Sequence, residues 1–540
     1  MKDYSKEQLA KDITSGIIVA IIALPLSIAL AIASGVSPEK GLYTAIVAGF
    51  LISLLGGSRV QIGGPTGAFM VIVYSIVATY GVRGLTIATI MAGVMMALMG
   101  IMRLGGVIKY IPYPITTGFT SGIALTIFSS QVKDFLGLKT GAVPAEFIEK
   151  WRCYIEAGTT IDITTTMVGL IALGIIILWP KVNRKIPGAL IALIVTAVIV
   201  KIGDLNVATI GSKFGQLSSA PPVLTVPTVT MDEIGQLIAP AFTIAVLGSI
   251  ESLLSAVVSD GMIGGKHRSN MELIAQGIAN IASGFFGGIP ATGAIARTVA
   301  NIKNGGRTPV AGIVHALTLL LILVVFMPYA KMIPLTALAA VLIIVAYNMS
   351  EWREFKKLFS SPKSDVIVLL TTFFITVLID LVKAIEIGMI LAAFLFMKRM
   401  SEVADVNVDQ FDASEGDTVH IEENKRLVGV KGIQVYEING PFFFGAADKF
   451  LSALGQLGDH TEILIVRMRN VSVMDATALH AFRRMAEICH RRHISILVSG
   501  IGQQPYGVIE KSGLDRTIGI EHFFSKESDA VTYALKQLDK

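Results

Sequence analysis

The chain has 540 residues, of which 53% are hydrophobic and only 16% charged, whereas a soluble domain is about one quarter charged. That balance excludes an ordinary soluble enzyme or nucleic-acid binder and points to a polytopic membrane protein. Runs of about 17–20 apolar residues follow one another, each long enough to cross a hydrocarbon core of about 30 Å. The net charge of +5 identifies no partner, because basic residues in membrane proteins gather on cytoplasmic loops.

The opening stretch, MKDYSKEQLAKDITSG, is charged and leads straight into an apolar run, so no cleavable leader is expected. Hydropathy then predicts about fourteen spans. They lie near 12–34, 40–56, 66–80, 84–103, 114–133, 162–179, 187–203, 236–259, 270–287, 293–303, 308–327, 333–349, 364–380 and 383–398. With the N-terminus inside, cytoplasmic loops would hold Lys11, Arg59, Arg103, Lys181, Lys266, Arg268, Lys303, Arg307, Arg353, Lys398 and Arg399. Outer loops hold fewer, most of them in one long loop with Lys133, Lys139, Lys150 and Arg152. An even count with both ends inside fits the positive-inside rule. Asp380, Lys383 and Glu386 at the last outer turn read as a local ion-pair set. Cys153 and Cys489 fall on opposite sides in this topology and are expected to stay unpaired; neither has metal-ligand spacing.

Residues 1–400 thus read as the membrane domain and 401–428 as a polar linker. From 429 to 540 the pattern becomes that of a soluble α/β domain, cytoplasmic by topology. GIQVYEINGPFFF, EILIVRM and ISILVSG read as strands. DATALHAFRRMAEICHRR and ESDAVTYALKQL read as helices. The domain is large enough to bury a core of its own.

One phrase occurs twice. GGPTGAF (63–69) opens the third span of the first seven, and GGIPATGAI (287–295) opens the third span of the second seven. That is the pattern of a seven-plus-seven repeat, and because seven is odd the second copy runs inverted. The helices that follow are short: at 1.5 Å per residue, 67–80 would rise about 21 Å and 294–303 about 15 Å. Each is expected to start near mid-membrane after an extended segment, where backbone is tolerated only if protein or water satisfies it. Two helix N-termini then face one point, each with free N–H groups and partial positive charge, which makes an anion site built from backbone.

Arg297 adds a full charge in the first turn of the second short helix. An arginine inside a span costs at least about 2.5–3.5 kcal/mol and calls for a partner. A transported anion is one; a protein carboxylate or snorkelling is the alternative. Glu251 stands mid-span in APAFTIAVLGSIESLLSAVVSDG and can trade a proton there, or serve as a structural carboxyl paired to Arg297 or a backbone donor.

The stretch SPEKGLYTAIVAGFLISLLGGSRVQIGGPTGAF resembles the signature of the SulP anion permease family, prokaryotic relatives of animal solute carrier family 26. Its matching residues are Pro38, Gly41, Leu42, Tyr43, Gly57, Ser58, Gly64, Pro65, Thr66, Gly67 and Ala68. The C-terminal unit is similar to a STAS domain. The resemblance implies a helical membrane protein of fourteen spans in a seven-plus-seven inverted repeat, divided into a core (spans 1–4 and 8–11) and a gate (5–7 and 12–14). It also implies elevator-like movement, a homodimer, and location in the bacterial inner membrane with N-terminus and STAS domain cytoplasmic. Its substrate cradle would be Thr66, Gly67, Ala68, Phe69, Gly293, Ala294, Ile295, Ala296 and Arg297, closed by a break in helix one around Pro25.

Departures bear on coupling. Many members have glutamine after the helix-one proline and serine before the helix-ten arginine; here these are Leu26 and Ala296. The sodium-coupled bicarbonate branch, similar here in LPLSIALAIASG, uses an aspartate and two threonines where this chain has Glu251, Ser255 and Ile295. Isoleucine offers no side-chain oxygen to sodium, although Ser255 remains a possible ion ligand. Proton coupling through Glu251 is therefore expected, as symport or in an anion exchanger, with sodium as the alternative. In VMDATAL, Asp475 and Thr477 loosely match the STAS phosphorylation turn, and both are also ordinary helix caps. A cytoplasmic protein partner at the STAS domain is possible on the same resemblance.

Enzyme motifs are missing: there is no His-Glu-x-x-His, Gly-x-Ser-x-Gly or P-loop. His315 is a lone histidine expected to be satisfied within the bundle. No cofactor, metal or nucleic acid is expected. A nucleobase permease, and an anion channel or sensor with STAS output, are the rival readings. Sulfate, bicarbonate, chloride and C4-dicarboxylates all suit two helix tips and one arginine.

Overall fold

The computed structural model describes residues 4–106, 111–141, 143–183, 186–379, 381–403, 405–409, 430, 432–455, 457 and 460–538. Asp380 of the expected ion-pair set, and residues 404 and 410–429 of the expected linker, lie outside them. The chain divides into two compact units, Met1–Ile390 and Leu391–Lys540.

The first unit is helical. It begins with α1 (Lys6–Ala33), α2 (Pro38–Leu55), a two-residue strand β1 (Gly63–Gly64), α3 (Gly67–Ile101), α4 (Tyr113–Leu136) and α5 (Phe147–Glu156). There follow α6 (Ile163–Val182), α7 (Gly188–Ile202), α8 (Ile210–Phe214), α9 (Met231–Ile263), α10 (Ser269–Phe285), β2 (Thr292–Gly293) and α11 (Ile295–Lys303). The unit closes with α12 (Pro309–Ala330), α13 (Leu335–Met349), α14 (Trp352–Leu358), α15 (Lys363–Leu378) and α16 (Leu381–Val403), the last crossing the division. Among the described residues, seven helices are long and apolar enough to cross a membrane by length and composition. Helix α3 contains the third and fourth expected spans; Gly81, at φ 68° and ψ −179°, breaks it between them. Only glycine takes that backbone without strain.

The helices pack in two groups. α3 lies against α9 and α10, α12 against α1 and α2, and α11 against α1 and α9. Separately, α4 packs on α13 and α15, and α6 on α7 and α13. In lipid, close packing rather than water exclusion drives helix contacts, so small residues mark the tight seams. Gly93 of α3 and Gly277 of α10 are such a pair: a methyl on either would run into backbone atoms of the other helix.

The second unit holds a five-stranded sheet in the order β3 (Asp405–Asp409), β4 (Ile433–Asn439), β5 (Ile463–Asn470), β6 (Ser495–Ser499) and β7 (Phe523–Phe524). β3 is antiparallel to β4 and the rest are parallel. Its helices are α17 (Phe444–Leu454), α18 (Ala476–Arg491), α19 (Gln503–Lys511), α20 (Leu514–Ile518) and α21 (Glu527–Leu538). Strand side chains alternate faces. Tyr436, Ile438, Leu464, Val466 and Val498 therefore meet Phe450 of α17 and Phe482 of α18, while Val435, Ile465 and Leu497 meet Ala530 and Val531 of α21. The expected strands and helices are present. The expected linker, however, begins with regular structure: α16 runs to Val403 and β3 is the sheet's antiparallel edge.

Both cysteines are free. Cys489 is fully buried, and burial pushes its thiol up to about 12. A thiol reacts as its thiolate, so at pH 8 maleimide should label Cys153 of the folded chain and spare Cys489 until the domain unfolds. Peptide mass spectrometry with and without denaturant checks this; equal labelling of both in the folded chain would contradict it.

Candidate functional site

The site is built on the two glycine phrases. β1 and β2 pair antiparallel, Gly63 opposite Gly293 and Gly64 opposite Thr292. The Ala294 N–H extends the ladder by donating to Ile62 O at 2.9 Å. Antiparallel chains leave such a ladder in opposite directions, so α3 and α11 depart from it in opposite senses. Each starts three residues beyond the ladder pair, at Gly67 and Ile295, which at about 3.3 Å per residue keeps each tip within roughly 10 Å of the ladder.

Backbone this deep must find partners, and buried side chains supply them. Asn280 donates to Ala291 O and accepts from Ala291 N–H, both at 2.8 Å. Thr44 Oγ1 accepts from Ile289 N–H at 2.7 Å, Thr298 Oγ1 from Ile62 N–H at 3.1 Å, and Ser252 Oγ from Gly293 N–H at 3.3 Å. Asn301 Nδ2 donates to Val60 O at 2.8 Å. Glu272, fully buried on α10, accepts from Gln61 Nε2 at 2.9 Å, Gln276 Nε2 at 2.9 Å and Ser58 N–H at 3.1 Å. The spacing Glu272, Gln276, Asn280 is one polar helix face, a signal present in the sequence and missed. It is aimed at the extended segments rather than at a ligand.

The two helix tips differ from ordinary N-termini. Thr66 caps α3 and Ala294 caps α11, and neither side chain bonds to a first-turn amide. The Thr66 hydroxyl instead donates to Glu251 Oε2 at 2.8 Å. First-turn N–H groups without a cap are left for another acceptor.

Arg297 is 2% exposed. Its Nη2 donates to Pro65 O at 3.1 Å and Ser27 Oγ at 3.2 Å, and its Nη1 has no hydrogen-bond partner among the described residues. Ser27, two residues beyond Pro25, is a contact that nothing in the sequence pattern singled out. No carboxylate pairs with Arg297 among the described residues; Glu251 is taken up by Thr66 instead. Arg297 Nη1 lies against Gly64, whose φ is +152°. A methyl at position 64 would overlap that nitrogen. Gly64→Ala is therefore expected to displace the guanidinium and reduce anion uptake about five- to a hundredfold, by the ~1–3 kcal/mol typical of overpacking; uptake at the wild-type rate would contradict this placement.

The remaining expected site residues fall in two sets. Gly67, Ala68, Phe69, Gly293 and Ala294 are buried at or beside the tips, while Ile295 and Ala296 are exposed. Ile295 lines a cavity of about 690 Å³ with Thr117, Thr120, Leu254, Val258 and Tyr347. Ser255 is buried, and its hydroxyl donates to Thr298 Oγ1 at 3.4 Å. Two expectations need correction. Helix one does not break at Pro25: α1 runs continuously from Lys6 to Ala33 with Pro25 inside and buried, since one missing helical N–H is tolerated where neighbouring helices repack around it. His315 is not satisfied among the described residues: it is fully buried beside Gly49 of α2, and neither ring nitrogen has a hydrogen-bond partner among them. In the second unit, Asp475 caps α18 by accepting from Ala478 N–H at 2.8 Å, and Thr477 is exposed in the first turn.

Comparison with known proteins agrees with the resemblance. Residues 9–372 match the sulfate permease family and residues 424–530 the STAS domain. The chain is 40% identical, over 98% of both chains, to the putative sulfate transporter YvdB of Bacillus subtilis (strain 168). It is 29% identical to the bicarbonate transporter BicA of Picosynechococcus sp., over 97% of this chain and 94% of that one. Among solved structures, SLC26A9 superposes with a TM-score of 0.85 over 100% of this chain and 92% of that one, at 18% identity, a likeness of fold. This chain thus belongs to the sulfate permease (SulP) family of anion transporters, a mostly helical membrane protein with a C-terminal STAS domain.

Proposed function

We propose that this protein is a secondary active transporter of small anions, proton-coupled as a symporter or working as an exchanger. The observation that carries the reading is Arg297: buried, without a carboxylate partner, one donor nitrogen uncommitted, beside two helix tips whose amides lack side-chain caps. An anion at that point would satisfy all three sets of donors at once.

In this reading the substrate rests on the backbone of residues 66–69 and 293–296, with Arg297 as counter-charge. Glu251, one hydroxyl away from the α3 tip through Thr66, carries the coupling proton. The fourteen spans form a seven-plus-seven inverted repeat, a reading supported by the antiparallel tie between β1 and β2. The group of α1–α3 and α9–α12 is the core that moves; the group of α4, α6, α7, α13 and α15 is the gate. Residues 1–400 are the membrane domain and 429–540 the STAS domain. The protein works as a homodimer in the bacterial inner membrane, with N-terminus and STAS domain in the cytoplasm. Thr477, exposed at the α18 N-terminus, is the regulatory phosphosite, where added negative charge suits the helix dipole.

Reconstituted proteoliposomes test this. Uptake of radiolabelled sulfate, bicarbonate, chloride and a C4-dicarboxylate is expected to saturate for at least one anion, to show counterflow, and to rise with an acid-outside gradient. Ohmic current without counterflow would indicate a channel, and neither flux nor current a sensor. The similarity to a bicarbonate transporter favours one second reading, sodium-coupled bicarbonate uptake with Ser255 as a ligand; stimulation by a sodium gradient and not a proton gradient would establish it.

A further inference from the structure

Away from the cradle, a second cavity of about 520 Å³ lies between α3, α4 and α5. Met70 and Tyr74, in the first two turns of α3, line it together with Lys133, Lys150 and Tyr154. It shares helix α3 with the cradle, although none of the cradle residues lines it. Its charged lining is Lys133, Lys150 and Lys213 against Asp134 and Glu146. Lys133 Nζ donates to Thr140 O and Gly141 O at 3.3 Å, and Lys213 Nζ is 4.0 Å from Asp134 Oδ2. Glu146 is exposed.

Lys150 differs from both. It is only 6% exposed, yet its ammonium makes no hydrogen bond or ion pair among the described residues. Its stem is buried and its ammonium reaches the cavity, short of water and without a counter-ion, where a lysine is ordinarily paired. Helix α5, a loop helix between the fifth and sixth expected spans, puts Lys150 and Tyr154 one turn apart on its buried face. Tyr154 is 4% exposed, and burial pushes its phenol up, keeping it a neutral hydroxyl. Burial likewise draws the Lys150 ammonium below the usual lysine range; a bound anion would reverse that by favouring the charged form. A cavity with an excess of one charge sign focuses ions of the other and speeds their capture.

We infer that Lys150 holds a small inorganic or carboxylate anion in this cavity, a second site that delivers the solute to the tip of α3. The ligand class rests on the anion-transport reading above; the site itself rests on the unpartnered lysine and the cavity it lines. In full-length protein in proteoliposomes, Lys150→Gln should raise the apparent KM for sulfate about tenfold with little change in maximal rate, and flatten the dependence of uptake on ionic strength. Lys150→Arg should restore both. A wild-type KM and salt dependence in Lys150→Gln would overturn the proposal.

A second measurement does not need transport. Reductive methylation of the purified full chain with formaldehyde, followed by peptide mass spectrometry, reports access to Lys150, with exposed Lys201 as reference. Sulfate, bicarbonate, chloride or malate at about ten times its dissociation constant should slow Lys150 methylation roughly tenfold and leave Lys201 unchanged, and sucrose should protect neither. Equal methylation rates with every anion, or a Lys150 that never reacts, would overturn the site even if uptake is observed. Protection of Lys150 without uptake of any anion would instead sink the transport reading and leave the site standing.

Discussion

Replacing Arg297 by alanine is expected to raise the apparent substrate constant by roughly two to three orders of magnitude, or to abolish uptake altogether. Removing one member of a buried charge contact costs about 2–5 kcal/mol, and each 1.4 kcal/mol is a factor of ten. Arg297→Lys should not rescue fully. The guanidinium uses one nitrogen for Pro65 O and Ser27 and leaves the other free, and a lysine cannot hold two such directions from one planar group. The measurement is initial uptake against concentration in proteoliposomes, normalised to folded protein by size-exclusion chromatography. Normal transport by a well-folded Arg297→Ala variant would remove this residue from the site.

Glu251→Gln should separate coupling from binding. Glutamine keeps the shape and can still accept from the Thr66 hydroxyl that Glu251 accepts at 2.8 Å, but it cannot take up or release a proton. Wild-type uptake should rise with an acid-outside gradient, each pH unit supplying about 1.4 kcal/mol per proton, or up to roughly tenfold in accumulation. The variant should lose that stimulation while retaining counterflow of preloaded anion, which needs no net proton movement. Unchanged stimulation in Glu251→Gln would assign coupling elsewhere. Loss of counterflow as well would make Glu251 a binding rather than a coupling residue.

The parts legible in the sequence were those with a strong local cause. Long apolar runs place the helices within a few residues, and the glycine phrases mark the two extended segments; their pairing as the β1–β2 ladder comes only from the fold, where no side chain fits as Gly293 meets Gln61 and Gly64 meets Arg297. Strand alternation in the second unit gives its two packed faces. Short helices such as α5, α8 and α14 were missed because fewer than three turns leave too little periodicity to read, and β3 because aspartates at both ends disguise the Val406 and Val408 alternation. At the cradle, Arg297 and Glu251 stand out as charges in apolar surroundings. Ser27, Gln61, Thr298 and Asn301 do not, because an uncharged polar residue in a span costs little once a backbone group answers it. Only the fold shows which backbone group that is. The break at Pro25 was implied by the resemblance, and in this chain the packing around α1 keeps the helix continuous.

The short ladder that ties Gly63–Gly64 to Thr292–Gly293 also bears on how such a carrier can be blocked. In the proposed reading the two tips are stitched together through main chain, and a compound lodged at the seat between them would compete directly with the solute. The weaker joint is where the helix groups face each other, at the cavity of about 690 Å³ bordered by Thr117 and Thr120 on one side and Leu254 and Val258 on the other. Ile295 of the proposed seat also borders this cavity, so a blocker filling it would crowd the cargo's place as well as jam the joint, and its inhibition would be at least partly competitive.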